Sequence, residues 1–182
     1  MNGFVRHTRS GRQVANFSGF EADLLRSLAS QIIELLHNEL AAPLSPVDPL
    51  EAMLDFSGPV DEPEDPVLLR LLPNAHADDP EASGEFRRYT ESALRDSKSA
   101  TAAVVIDSLE EGGLGDEVDD DVMIDVELTE PEAVAWLRAF TDIRLALATR
   151  LGISDDDEMG REALADDDPR AQAHDIYEWV GW

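Results

Sequence analysis

Cysteine is missing from all 182 residues, which removes disulfides, thiolate zinc sites, iron–sulfur ligation and a cysteine nucleophile together. Lysine is almost missing: Lys98 is the single one, and the other 13 basic residues are arginine. A lone lysine in D-S-K-S leaves no room for a Walker A loop. No apolar run approaches the ~20 residues that a membrane-spanning helix requires. The opening M-N-G-F-V-R-H-T-R-S-G-R has no apolar core of the kind a signal peptide carries, so a cytoplasmic location is expected. H-E-x-x-H, C-x-x-C and G-x-S-x-G are absent, and no G-x-G-x-x-G follows a strand pattern.

What the chain has in abundance is acid. Forty Asp and Glu stand against 14 bases, a net charge of −26. Such a field repels nucleic acid and anionic membranes and attracts cations or basic protein surfaces. Solvated charge of this kind is also an ordinary compositional or salt-adaptation trait. With carboxylates everywhere, no chosen pair identifies an acid–base catalyst. The segment Asp155–Asp166 has Asp at positions one and three and Gly at six of an EF-hand-like register. Met159 at position five and Asp166 at twelve depart from the ligand set, so no calcium site is expected. No catalytic, metal or cofactor site is therefore assigned, and an enzyme is not expected.

Length and a hydrophobic fraction of 43% suit one domain over residues 1–182. The strongest element is T-E-P-E-A-V-A-W-L-R-A-F-T-D-I-R-L-A-L-A-T-R-L-G-I at 129–153. Thr129 and Glu132 form a capping box and Pro131 fits the first turn. Trp136, Phe140, Ile143 and Leu147 keep helical spacing, with Leu137, Ala148 and Leu151 widening the stripe. Gly152 then supplies the left-handed stop. Upstream, 4–17 predicts a hairpin around Ser10-Gly11, and Glu21–Leu40 predicts a helix with Leu24, Leu25, Leu28, Ile32, Leu35 and Leu36 on one side.

Residues 43–66 hold six prolines among acids and read as a connector, with at most one short helix near 48–55. Val67–Leu72 predicts a turn or two of helix packed on the core. A long helix follows from Asp79-Pro80 to about Glu111. Phe86, Tyr89, Ala93, Leu94, Val104, Val105 and Leu109 form its expected buried face, and a bend or a break is expected at the polar stretch Asp96–Ser99. Residues 113–121 and 154–168 are acidic loops. Between them Val122, Ile124, Val126 and Leu128 alternate as a half-buried strand does. Asp168-Pro169 starts a last helix that buries Ala173, Ile176, Tyr177 and Val180. The expected fold is mainly α, a single-domain helical bundle with a small antiparallel sheet made from the N-terminal hairpin and the strand near 122–128.

Five residues are candidates for partner binding: Arg6, Arg9 and Arg12, the one basic patch, and Trp179 and Trp182 at the C-terminal end, through which a homodimer is also conceivable. The arginines equally serve to neutralise the chain's own acid, and Trp179 equally serves to close the core.

The order E-F-R-R-Y-T-E at 85–91, A-W-L-R-A-F-T-D-I-R-L-A-L-A-T-R-L-G-I at 135–153 and I-Y-E-W-V-G-W at 176–182 resembles an actinobacterial family of unknown function. Its members are typically encoded beside the Clp protease adaptor S. The resemblance runs along essentially the whole chain. Some relatives are described as oxidative-stress transcriptional regulators that act with an alternative sigma factor through cysteine oxidation. The resemblance thus implies a regulatory, protein-binding role, and without cysteine a disulfide switch cannot operate within this chain. The expectation is a non-enzymatic cytoplasmic regulator that binds a basic protein, such as a sigma factor. The alternatives are an accessory protein of the Clp system and, less favoured, an uncharacterised enzyme.

Overall fold

Two short strands open the chain because the backbone can reverse cheaply at Gly11. Its φ of +73° is reached without a Cβ clash, and the His7 N–H donates to the Arg12 carbonyl at 2.8 Å while the Gly11 N–H donates to the His7 carbonyl at 2.9 Å. In the computed structural model, which describes residues 2–38, 61–117, 122–153 and 168–181, β1 (Asn2–Arg6) and β2 (Gln13–Ser18) form this hairpin. β2 is the middle strand of an antiparallel sheet with order β1-β2-β3, where β3 is Met123–Leu128. The register pairs Ala15 with Val126 and Phe17 with Ile124. These residues and Leu128 share one face and are buried. The alternation expected of the strand near 122–128 is present, with Val122 itself exposed.

Five helices make up the rest of the described chain. Gly19–Asn38 is α1. It starts as soon as the sheet ends, because the Ser18 N–H donates to Glu21 and the Glu21 N–H donates back to the Ser18 hydroxyl. Ala22, Leu25, Ala29, Ile32 and Leu36 form its buried stripe. The short α2 is Pro66–Leu71, capped by the Asp65 carboxylate on the Val67 N–H at 2.7 Å. Val67, Leu68 and Leu71 enter the core as the sequence leads one to expect. Pro80–Glu111 is α3, a single helix of 32 residues capped by Asp79. It does not break at Asp96–Ser99. Asp96 and Ser97 stay exposed there, while Lys98 reaches Asp142 of the neighbouring helix at 2.7 Å and ties this part of α3 down.

The central helix, α4, is Glu130–Leu151. Glu132 accepts from both the N–H and the hydroxyl of Thr129, each at 2.7 Å, which holds its carboxyl below the usual range. Gly152 at φ +70° ends the helix, and the Ile153 N–H folds back to the Ala148 carbonyl. Last comes α5, Pro169–Val180. Arg144 of α4 lies 5.0 Å from its Tyr177 ring centre.

The long helices run antiparallel. Arg26, early in α1, donates to the Gly115 carbonyl just past α3, while Leu36, late in α1, meets Arg95. Between α3 and α4 the matching pairs are Ser108 with Trp136 and Lys98 with Asp142. Where the sheet meets the bundle, Phe4, Phe17, Trp136 and Phe140 form one aromatic cluster with ring centres 5.2–6.1 Å apart. The possible helix near 48–55 and the EF-hand-like segment 155–166 lie outside the described residues.

Candidate protein-interaction face

The amino-terminal half of α3 is inside out relative to its apolar pattern. Phe86, Tyr89 and Leu94, expected in the core, are exposed, as is Ala93. The buried face is instead Ser83, Gly84, Arg87, Glu91 and Arg95. Spacing of four residues stacks Arg87, Glu91 and Arg95 one above the other. The Glu91 carboxylate is divided between them, one oxygen accepting from Arg87 at 2.6 Å and the other from Arg95 at 2.7 Å. All three side chains are at most 6% exposed. A buried charge is tolerated only when it is paired and its remaining hydrogen-bonding groups are satisfied.

The outer ends of the triad meet that need. Arg95 donates to the Leu36 carbonyl in the last turn of α1 at 2.7 Å, where a positive charge also favours the helix dipole. Arg87 donates to Asn74 at 2.6 Å, and Asn74 in turn donates to Glu62. One turn upstream, the Ser83 hydroxyl donates to the His76 carbonyl and accepts from the His76 N–H. This polar seam therefore locks both the segment around residues 62–76 and the end of α1 onto α3.

Three further side chains held in the interior, Lys98, Asp142 and Trp136, are committed to structure in the same way. Lys98 binds Asp142, and Trp136 donates to Ser108. His37 is exposed at the end of α1. His174 is buried on α5, and no hydrogen bond or ion pair joins it to a carboxylate among the described residues. No group of three or more His, Asp or Glu stands at metal-binding distance among those residues.

Of the five candidate residues, Arg6, Arg9 and Arg12 are all exposed on the hairpin, with Arg12 3.9 Å from Glu127. Trp179 is half-buried against the core, and Trp182 lies outside the described residues. The structure does not bring the arginines and Trp179 to one spot. Arg12 sits beside Glu127 and Glu132, where α4 begins. Tyr177 and Gly181 of α5 meet Arg144, 12 residues further along, or about 18 Å at 1.5 Å per residue.

Sequence reasoning missed the exposed apolar residues. Phe86, Tyr89 and Leu94 on α3 are joined by Val134 and Leu137 on α4. Leu137, expected to widen the core stripe, is 70% exposed. It lies about 100° around α4 from the neighbouring core residue Trp136, beyond the edge of the buried arc. In hindsight the signal was the Arg87-Glu91-Arg95 spacing, which looks like an ordinary solvated ion-pair series.

These features define a mainly helical module whose buried charges hold it together and whose open features lie on its surface. Among the described residues, no helix is long and apolar enough to cross a membrane. The chain belongs to the DUF2017 family, a domain of unknown function whose model matches residues 1–182. It is similar to proteins named oxidative stress regulator AosR from Mycobacterium tuberculosis (strain H37Rv) and Mycobacterium bovis. Each is 32% identical over 188 residues, covering 95% of this chain and 79% of the relative. A relative from Mycobacterium leprae is 30% identical over 174 residues, covering 88% of this chain and 73% of its own length. No solved structure matches.

Proposed function

We propose that this chain is a non-enzymatic regulatory protein that acts in the cytoplasm by binding a basic protein. The reading is carried by its likeness, along 95% of its length, to proteins named as oxidative stress regulators. The net charge of −26 supports it, because a strongly acidic body raises the encounter rate with a basic partner. The commitment of Arg87, Glu91, Arg95, Lys98 and Asp142 to ion pairs supports the non-enzymatic part, since among the described residues these buried charges are engaged with one another. A sigma factor, whose DNA-binding face is basic, is the partner that the family resemblance suggests. A thiol-based response to oxidants would come from that partner or from another protein, because these 182 residues contain no cysteine.

The test is binding of the purified chain to the alternative sigma factors of its host, followed by calorimetry at low and high salt. Binding at low salt that weakens as salt rises is expected. Absence of binding at every salt concentration overturns the reading. Co-purification with the Clp adaptor in place of a sigma factor would make the chain an accessory protein of that system.

A further inference from the structure

The face between α3 and α4 is an exception to the acidity of the molecule. An open hollow of about 410 Å³ is lined by Leu94, Ser97, Thr101, Val134, Leu137 and Thr141, with Lys98, Arg138 and Asp142 as its charged groups. Asp142 is buried and bound to Lys98. Arg138 is exposed, with no hydrogen-bond or ion-pair partner among the described residues. In a chain with 40 acidic residues, this hollow presents no exposed carboxylate and one uncompensated cation.

The hollow is also longer than it first looks. Leu94 is shared with a second, smaller depression lined by Phe86, Thr90 and Pro73 among others. From Phe86 to Thr101 the α3 residues Phe86, Thr90, Leu94, Ser97 and Thr101 that line the two are uncharged, and Lys98 beside them is paired with Asp142. That strip spans residues 86–101, about 22 Å of helix. Phe86, Leu94, Val134 and Leu137 stand open along it. The polar seam on the opposite side of α3 is what turns these apolar residues outward. The exposed strip is thus built into the fold and not a fraying of its surface.

We propose that this groove takes an amphipathic helix of about four turns from a partner protein, with apolar side chains against Leu94, Val134 and Leu137 and a carboxylate against Arg138. Charge complementarity decides the occupant. Over the molecule as a whole the field favours bases, so only a local cation in a groove whose lining carboxylates are buried and paired would select an acid. This interaction is separate from the acidic-body binding proposed above. It is set by short-range contacts and persists at salt concentrations where that binding is screened.

Two synthetic 15-residue helical peptides provide the probe. They share one leucine face and differ only in carrying glutamate or lysine at the flanking positions. Binding is read by fluorescence anisotropy near physiological salt. The glutamate peptide should bind more tightly. Arg138→Glu should change the ratio of the two affinities by about tenfold toward the lysine peptide, twice the effect of one exposed ion pair on a logarithmic scale. Leu137→Ser should weaken the glutamate peptide by about tenfold. Phe20→Ser, an equally exposed apolar residue on α1, should leave it unchanged. All three positions are exposed, and an unchanged melting temperature confirms the fold of each variant. Preference for the lysine peptide, or an affinity ratio that Arg138→Glu does not move, overturns the proposal. So does a dimer of the chain alone that Leu137→Ser dissociates, for then the occupant is a second copy.

Discussion

Glu91 is the residue on which the interior of α3 depends. It neutralises two buried arginines at once, and its removal leaves both positive charges in a low-dielectric site with one carboxylate's worth of partners gone. Glu91→Ala is expected to destabilise the chain by about 3–5 kcal/mol, measured by urea denaturation. Replacing Arg87, Glu91 and Arg95 together by methionine and leucine should lose far less, because no charge is then stranded. A loss in the triple variant equal to that in Glu91→Ala would show that the links to Asn74 and Leu36, not the ion pairing, carry the energy.

Asp65 is a milder case and depends on pH. Burial pushes its carboxyl up, but the hydrogen bond from Arg150 and those from the α2 backbone outweigh it, so its pKa lies below the ordinary 3.8. A depressed carboxylate contributes stability that is fully present above the unfolded value and is lost as pH falls through the folded value. Asp65→Ala should therefore lose about 1 kcal/mol at pH 7, as other N-cap deletions do. The gap between variant and parent should narrow as pH falls below 3.8 and through the lower value of the folded state. A gap of constant size across that range would mean that the loss is one of packing.

At the scale of elements, one glycine fixes how a helix meets the sheet and another fixes how a helix ends. A Cβ on Gly112 would stand 2.7 Å from the Asp125 carbonyl oxygen of β3, closer than atoms are allowed. Gly112→Ala should thus push the end of α3 off the sheet and destabilise the chain by about 1–3 kcal/mol. Gly152 faces no such neighbour, and its need is conformational: at φ +70° an alanine is strained by about 1–2 kcal/mol. Thermal unfolding of the two variants separates the causes. Gly112→Ala should also shift the near-UV signal of Trp136, which packs beside β2, whereas Gly152→Ala should not.

The elements that sequence reading found are those in which local and global preferences agree. Thr129, Glu132 and Gly152 mark the bounds of α4 by backbone chemistry that is the same in any fold. Ile124, Val126 and Leu128 alternate because one face of β3 is wet. The hairpin follows from Gly11. The amino-terminal half of α3 was legible as helix but not as to which side faces in. There tertiary context reverses the usual preference: a self-paired ionic stripe is buried and Phe86, Tyr89 and Leu94 are left outside. Hydrophobic periodicity cannot reveal that inversion, since it assumes that the apolar side is the inner one. For the same reason the groove went unread, because its lining combines residues 94–101 with 134–142 and the pairing of two distant helices leaves no local mark.

For the whole molecule, the decisive quantity is the net charge of −26 on a chain of 182 residues. Folding brings these carboxylates closer together than they are in the expanded chain, so repulsion among them opposes the native state. The ion pairs that hold the interior, Arg87–Glu91–Arg95 and Lys98–Asp142, are largely shielded from dissolved ions by burial. Exposed pairs such as Arg12–Glu127 contribute little to begin with. Salt therefore screens the unfavourable term far more than the favourable one, as the screening length drops from about 10 Å at 0.1 M to about 3 Å at 1 M. The melting temperature should rise as sodium chloride is added over that range, and chloride keeps the effect electrostatic, where sulfate would also strengthen apolar burial. A flat or falling melting curve would mean that the surface acids are already neutralised by neighbours in the native state. The body would then lack the net field that recruitment of a basic partner requires.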